Sequence, residues 1–355
     1  METHAQASPE EPARPRRRWV NLLLNLSLAL ASLLLLLLLL EGVGFLIMKL
    51  DRTGYYEPDY RNSLGMREPR EPGETAGDRV ILMLGDSHTY GVGVRYEDSY
   101  PARLEAELEA RDPDARVAVI NGGIGGSDTQ IAFSQLERLY PLYKPEVVVL
   151  GFHSADISQN RIAQRTSRET DLTVARRAEA APRSAEEIEE MIHVREEEFS
   201  TLWLMHGYLR RKSHAMTALS FYYKCYLIKF LPAPDADFLE QGLATREFQP
   251  SVRFLDQMND YLVERDVELV LLSIPPLNRF DSYPNERLDE TLAEYAESRG
   301  ARFVSPLPAL SRHRAADLRV SKRDGHYNED GNRVLGEVLA DFFTNSGLLD
   351  DDAAE

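Results

Sequence analysis

The run VILMLGDSHTYG, Val80 to Gly91, is an apolar segment that stops abruptly at Asp86, Ser87 and His88. A buried strand gains nothing from ending in a carboxylate, a hydroxyl and an imidazole. Ser87 therefore has two readings: a nucleophile, or the polar cap of the helix that follows. A nucleophilic serine needs a base, and the base needs a group to orient it. Of the eight histidines, His193, His206 and His214 fall in a helical stretch where surface or core roles suffice. His88 adjoins Ser87, and neighbouring side chains on a turn diverge, so it ranks as secondary, as does Asp86. His326 differs, because it lies in KRDGHYNEDGNRVLGEVL, in a loop before the last helix. Asp324, two residues earlier, could hold the second ring nitrogen and fix the tautomer, or could simply serve the turn at Asp324-Gly325.

Those residues must be brought together by the elements around them. RVILML (79–84), RVAVIN (116–121), EVVVLGF (146–152), VELVLLSI (267–274) and ARFVSP (301–306) are short apolar runs rich in β-branched residues. Amphipathic helical patterns such as YPARLEAELEAR and ERLDETLAEYAESRG separate them. Continuous apolar strands alternating with helices imply parallel βαβ units buried on both faces. The expected fold is α/β, a flavodoxin-like doubly wound sheet of five parallel strands. In such a sheet Ser87 and His326 share the carboxyl edge, where ligands gather. Between strands three and four, residues 158–250 form a helical, aromatic insert. It is either a subdomain with its own small core, a cap over the active edge, or a membrane contact through Arg210, Arg211 and Lys212.

Leu22 to Leu40 is interrupted only by Asn25, Ser27, Ser32 and intervening alanines, long enough to span a hydrocarbon core of about 30 Å. A signal-peptide core is shorter, about 7–15 residues, and ends at small residues; here the small residues sit mid-run with eight leucines after them. The expectation is an uncleaved anchor. Arg14, Arg16, Arg17 and Arg18 precede the helix, which keeps the N-terminus cytoplasmic and sends the rest outside. The expected organisation is a cytoplasmic tail over 1–18, an anchor over 19–48, a Pro/Gly/Arg/Glu-rich tether over 49–78, a working domain over 79–345 and an acidic tail over 346–355. A net charge of −17 argues against nucleic acid as a partner. The single Cys225 allows no intrachain disulfide, and neither HExxH nor a Cys/His cluster with ligand spacing indicates a metal. GDSHTYGVGV lacks the Gly-Lys-Ser/Thr ending of a phosphate loop, and no cofactor is expected.

GDSHTYG, NGGIGGSDT after the second strand, a polar break after the third and DGHYN near the end together resemble the SGNH (GDSL-type) hydrolase superfamily. The blocks span residues 79–345 apart from the insert. YRNSLGMRE and the anchor resemble a membrane-tethered bacterial branch. The resemblance implies Ser87 as nucleophile, His326 as base and Asp324 as its orienter. It implies backbone donors to an oxyanion from Ser87 and from Gly126, with Gly125 as the other candidate. Two departures stand out. The third block of the family carries Asn then Asp, whereas GFHSADIS has Ala155 before Asp156; losing one such donor typically costs about 10²–10³ in turnover. His153, Ser154 and Asn160 are the polar residues near enough in sequence to replace it. The last block is Asp-x-His rather than Asp-x-x-His, a spacing that some acetyl-transferring relatives share.

The resemblance implies acyl transfer through an acyl-serine. The products would be those of a membrane-anchored esterase on O-acyl groups of envelope glycans or lipids. An O-acyltransferase fed by a separate membrane acyl-donor protein is the second possibility, and a degenerate domain that only binds glycan is the third.

Overall fold

In a computed structural model of the chain, the described residues are 15–51, 60–157 and 248–349, without 278, 279, 281, 282, 284 and 323 and with 213, 215, 216 and 219 in addition. Nearly all of the insert, with Asn160, His193, His206 and His214, lies outside them, as do the first 14 and last six residues.

Helix α1, Pro15–Asp51, contains the apolar stretch Trp19–Ile47, which is long and apolar enough to cross a membrane and is not buried by the rest of the chain. Strands β1 (Arg79–Gly85), β2 (Val117–Asn121), β3 (Val147–His153), β4 (Glu268–Ile274) and β5 (Arg302–Val304) form one parallel sheet in the order β2-β1-β3-β4-β5. This is the expected flavodoxin-like order, reversing beside β1.

Alternation along each strand assigns side chains to the two faces. Val80, Leu82 and Leu84 pack with Val148, Leu150, Leu269 and Leu271 under α4 (Thr129–Tyr143), α5 (Gln249–Val263) and α6 (Glu286–Arg299). Ile81, Met83, Val149, Val270 and Leu272 face α3 (Tyr100–Arg111) and α8 (Glu329–Ser346). Strands covered on both faces have no polar side to present, which is why they read as unbroken apolar runs. The short helices α2 (Ser87–Tyr90) and α7 (Leu307–Leu310) complete the set used here.

The lead-in departs from expectation. Read as a tether over 49–78, it is packed against the domain from residue 60 onward. Asn62 Oδ1 accepts from the N–H groups of Leu64 and Met66, both at 3.1 Å, and its Nδ2 donates to Arg70 O and to the Tyr143 hydroxyl at 3.0 Å. Glu68 is fully buried, accepting from Arg70 Nε at 2.9 Å, the Tyr96 hydroxyl at 3.1 Å and Asn121 N–H at 2.9 Å. Buried charge of this kind survives only when paired, so 60–70 belongs to the folded domain. Charged and turn-forming residues looked solvated in sequence because their partners lie tens of positions away. The other terminus shows a smaller difference: α8 runs to Ser346, and Leu348 and Leu349, expected in a tail, pack against the core.

Candidate active site

Gly85 ends β1 with φ at +146°, and a Cβ there would sit 2.2 Å from Thr89 Oγ1 and 2.8 Å from Gly151 O. Only glycine allows this tight exit. Asp86 then caps α2, its Oδ1 accepting from His88 N–H at 2.8 Å. The cap is thus Asp86, which leaves the Ser87 hydroxyl for other work.

The loop carrying His326 is shaped by its own backbone. Val320 N–H donates to His326 O at 2.9 Å, Ser321 N–H to Asp324 O at 3.3 Å and Asp324 N–H to Ser321 Oγ at 3.1 Å. Asn328 caps α8 by accepting from Gly331 N–H at 3.0 Å. Asn332 ties this end to the nucleophile side, accepting from Tyr100 N–H at 3.0 Å and donating to Tyr327 O at 2.8 Å. The result is a continuous chain across 239 residues of sequence. His326 Nε2 lies 2.8 Å from Ser87 Oγ, and His326 Nδ1 lies 2.5 Å from Asp324 Oδ1, which also accepts His326 N–H at 3.0 Å. Burial works to raise the Asp324 carboxyl, but its hydrogen bonds and attraction to His326 outweigh this and leave it below the ordinary carboxylate value. An ionised Asp324 holds the proton on Nδ1, so Nε2 is free to accept the Ser87 proton.

His88 does not bond to Ser87, yet its ring lies 4.8 Å from the His326 ring, 4.9 Å from that of His153 and 5.4 Å from that of Tyr327. It is therefore closer to the site than adjacency on a turn suggested. Burial, then the neighbouring His326, holds it well below the usual histidine value, and its Nδ1 is buried without a partner among the described residues. At the end of β3, His153 N–H donates to Asp156 Oδ2 at 3.2 Å and Ala155 N–H to His153 Nδ1 at 3.2 Å. Burial and then His88 bring His153 down to about 4. Burial raises both Asp86 and Asp156, the latter further through Asp86, which favours the neutral acid at Asp156. Gly125 and Gly126 are exposed, with open space where a side chain would stand and φ at +78° at Gly126, so an approach to their backbone is unobstructed.

Asp86, His88 and His153 offer ligand atoms within 4.8 Å of one another, the one such group among the described residues. Ligands at the roughly 2.1 Å bonds of a tetrahedral ion stand about 3.4 Å apart. Asp86 Oδ1 and His153 Nδ1 are moreover already committed to backbone N–H groups.

The GDSL-like lipase/acylhydrolase family model matches residues 83–334, well over half of the chain, which belongs to that family. No curated protein matches it. The solved structures that resemble it are remote. A lipolytic G-D-S-L protein of Desulfitobacterium hafniense, described as putative, is 14% identical with a TM-score of 0.40, over 74% of this chain and 99% of its own. A psychrotrophic esterase of a Pseudoalteromonas species is 13% identical at a TM-score of 0.41, over 76% and 98%. A two-domain esterase active on acetylated mannans is 15% identical at 0.43, over 76% of this chain and half of its own.

Proposed function

We propose that the chain is a membrane-anchored serine esterase that removes O-acyl groups of acetyl type from envelope glycans or lipids. The observation that carries this reading is the unbroken chain Ser87–His326–Asp324 at 2.8 and 2.5 Å. His326 Nε2 takes the proton as Ser87 Oγ bonds to the ester carbonyl carbon, and the carbonyl electron pair moves to oxygen. Collapse expels the alcohol, which leaves with the proton from His326. Water, activated by the same nitrogen, then releases the acid and restores Ser87. Backbone N–H groups of Ser87 and Gly126 serve the oxyanion.

α1 serves as the anchor, with the arginines before it on the cytoplasmic side and the catalytic domain outside. That location is the ground for a glycan or lipid substrate. No observation in the site favours a sugar hydroxyl over water as acceptor, so hydrolysis is the simpler reaction.

The full chain in detergent, assayed on p-nitrophenyl acetate and longer esters beside Ser87→Ala, tests the reading. Turnover lost in the variant supports it, and the chain-length profile sizes the acyl pocket. Equal rates from folded wild type and variant would sink it and leave a glycan-binding role.

A further inference from the structure

We propose that His153 is the side-chain donor of the oxyanion hole, giving the hydrogen bond that Ala155 cannot give. The inference deepens the esterase reading and rests on it.

The charge to be held forms beside Ser87, and useful donors lie about 2.7–3.1 Å from where the oxygen will be. Strand register puts His153 next to that point. Gly85 and Gly151 are paired neighbours on β1 and β3, and Ser87 and His153 each stand two residues further on. Adjacent strands lie about 4.8 Å apart, so both residues emerge side by side at the carboxyl edge. The His88 ring, 4.9 Å from His153 and 4.8 Å from His326, stands beside both of the other imidazoles at this edge.

The second strand of the argument is the tautomer. Ala155 N–H donates to His153 Nδ1, so that nitrogen carries a lone pair. A neutral ring then bears its proton on Nε2. Neutrality follows from burial and from the neighbouring His88 and His326, which together outweigh the attraction of Asp86. The Ala155 contact at Nδ1 opposes rotation of the ring, and Asp156 holds the backbone that carries it. Nε2 itself makes no hydrogen bond among the described residues, and the side chain is only partly covered. The residue that lacks a donor side chain thus sets, through its backbone, the donor face of the residue that has one. His153 keeps its proton throughout: it contributes a hydrogen bond to the anion and transfers nothing.

The test uses the full chain in detergent with p-nitrophenyl acetate, together with the final extent of fluorophosphonate labelling at Ser87. His153→Ala is expected to lower kcat by about 10²–10³ with KM within a fewfold and full labelling retained. His153→Gln, which keeps an N–H donor, or Ala155→Asn added to His153→Ala, should recover at least about tenfold. A kcat for His153→Ala within threefold of wild type overturns the proposal. So does a loss that neither restoring substitution reverses, or one matched by a fall in the labelled fraction, which marks a structural role. Absence of Ser87-dependent turnover in the wild type would be a different failure, that of the esterase reading itself.

Discussion

Two loops grip the turn that carries Ser87, and they differ in how they do it. The 319–328 loop reaches it with an imidazole whose other nitrogen is held by a carboxylate two residues away. The 60–70 lead-in reaches its far side with a guanidinium: Arg67, 2% exposed, donates through Nη1 to Tyr90 O at 3.1 Å and Gly91 O at 2.6 Å and through Nη2 to Val94 O at 2.7 Å. The first loop meets the hydroxyl that the proposed mechanism uses, whereas the second fixes the backbone behind it. Chemistry and support are thus separable here, and substitutions should divide the same way.

Asp324→Asn should give the largest effect. An amide cannot hold the Nδ1 proton as a carboxylate does, and kcat should fall by about 10⁴ while the melting temperature moves little. Arg67→Ala should do the reverse. It removes a buried cation and the donor to three backbone carbonyls, a destabilisation of about 3–5 kcal/mol read by denaturant unfolding. The protein that remains folded should keep kcat within about tenfold, because the variant touches no reacting atom. Comparable kcat losses in the two variants would collapse the distinction. Asn62→Ala should follow at about 1–3 kcal/mol, since it leaves the backbone turn of the lead-in without its acceptor.

The smallest effect is one of pH. Asp324 lies below its ordinary value of 3.8 when folded, so its contribution is present above that pH and lost as pH falls through the folded value. Melting temperatures of wild type and Asp324→Asn should therefore converge as the pH falls below 3.8 and through the folded value. A gap that widens on acidification would show that the carboxyl is not held by His326.

The same contrast explains what the sequence disclosed. The strands were legible because β1, β3 and β4 are covered on both faces and so are apolar throughout. Ser87, Asp324 and His326 were legible because strand ends and the start of the last helix must meet at one sheet edge. Arg67 and Glu68 were not, since nothing local distinguishes a buried pair of charges from a solvated one. Their partners, Gly91, Val94 and Asn121, lie 24 to 53 residues away. The position of His88 was hidden for a related reason: its place beside His153 and His326 depends on β3 and the last loop, not on its neighbour Ser87. His153 could be named as a candidate donor, but its tautomer needed the Ala155 contact.

The most direct test of the catalytic chain is covalent. The full protein in detergent would be treated with a fluorophosphonate, with the adduct located by peptide mass mapping in wild type, Ser87→Ala and His326→Ala. One adduct on Ser87, absent from Ser87→Ala and formed at least about 10²-fold more slowly in His326→Ala, is expected of a serine activated by that imidazole. A folded wild type that takes no label, or a label that persists in Ser87→Ala, would contradict it.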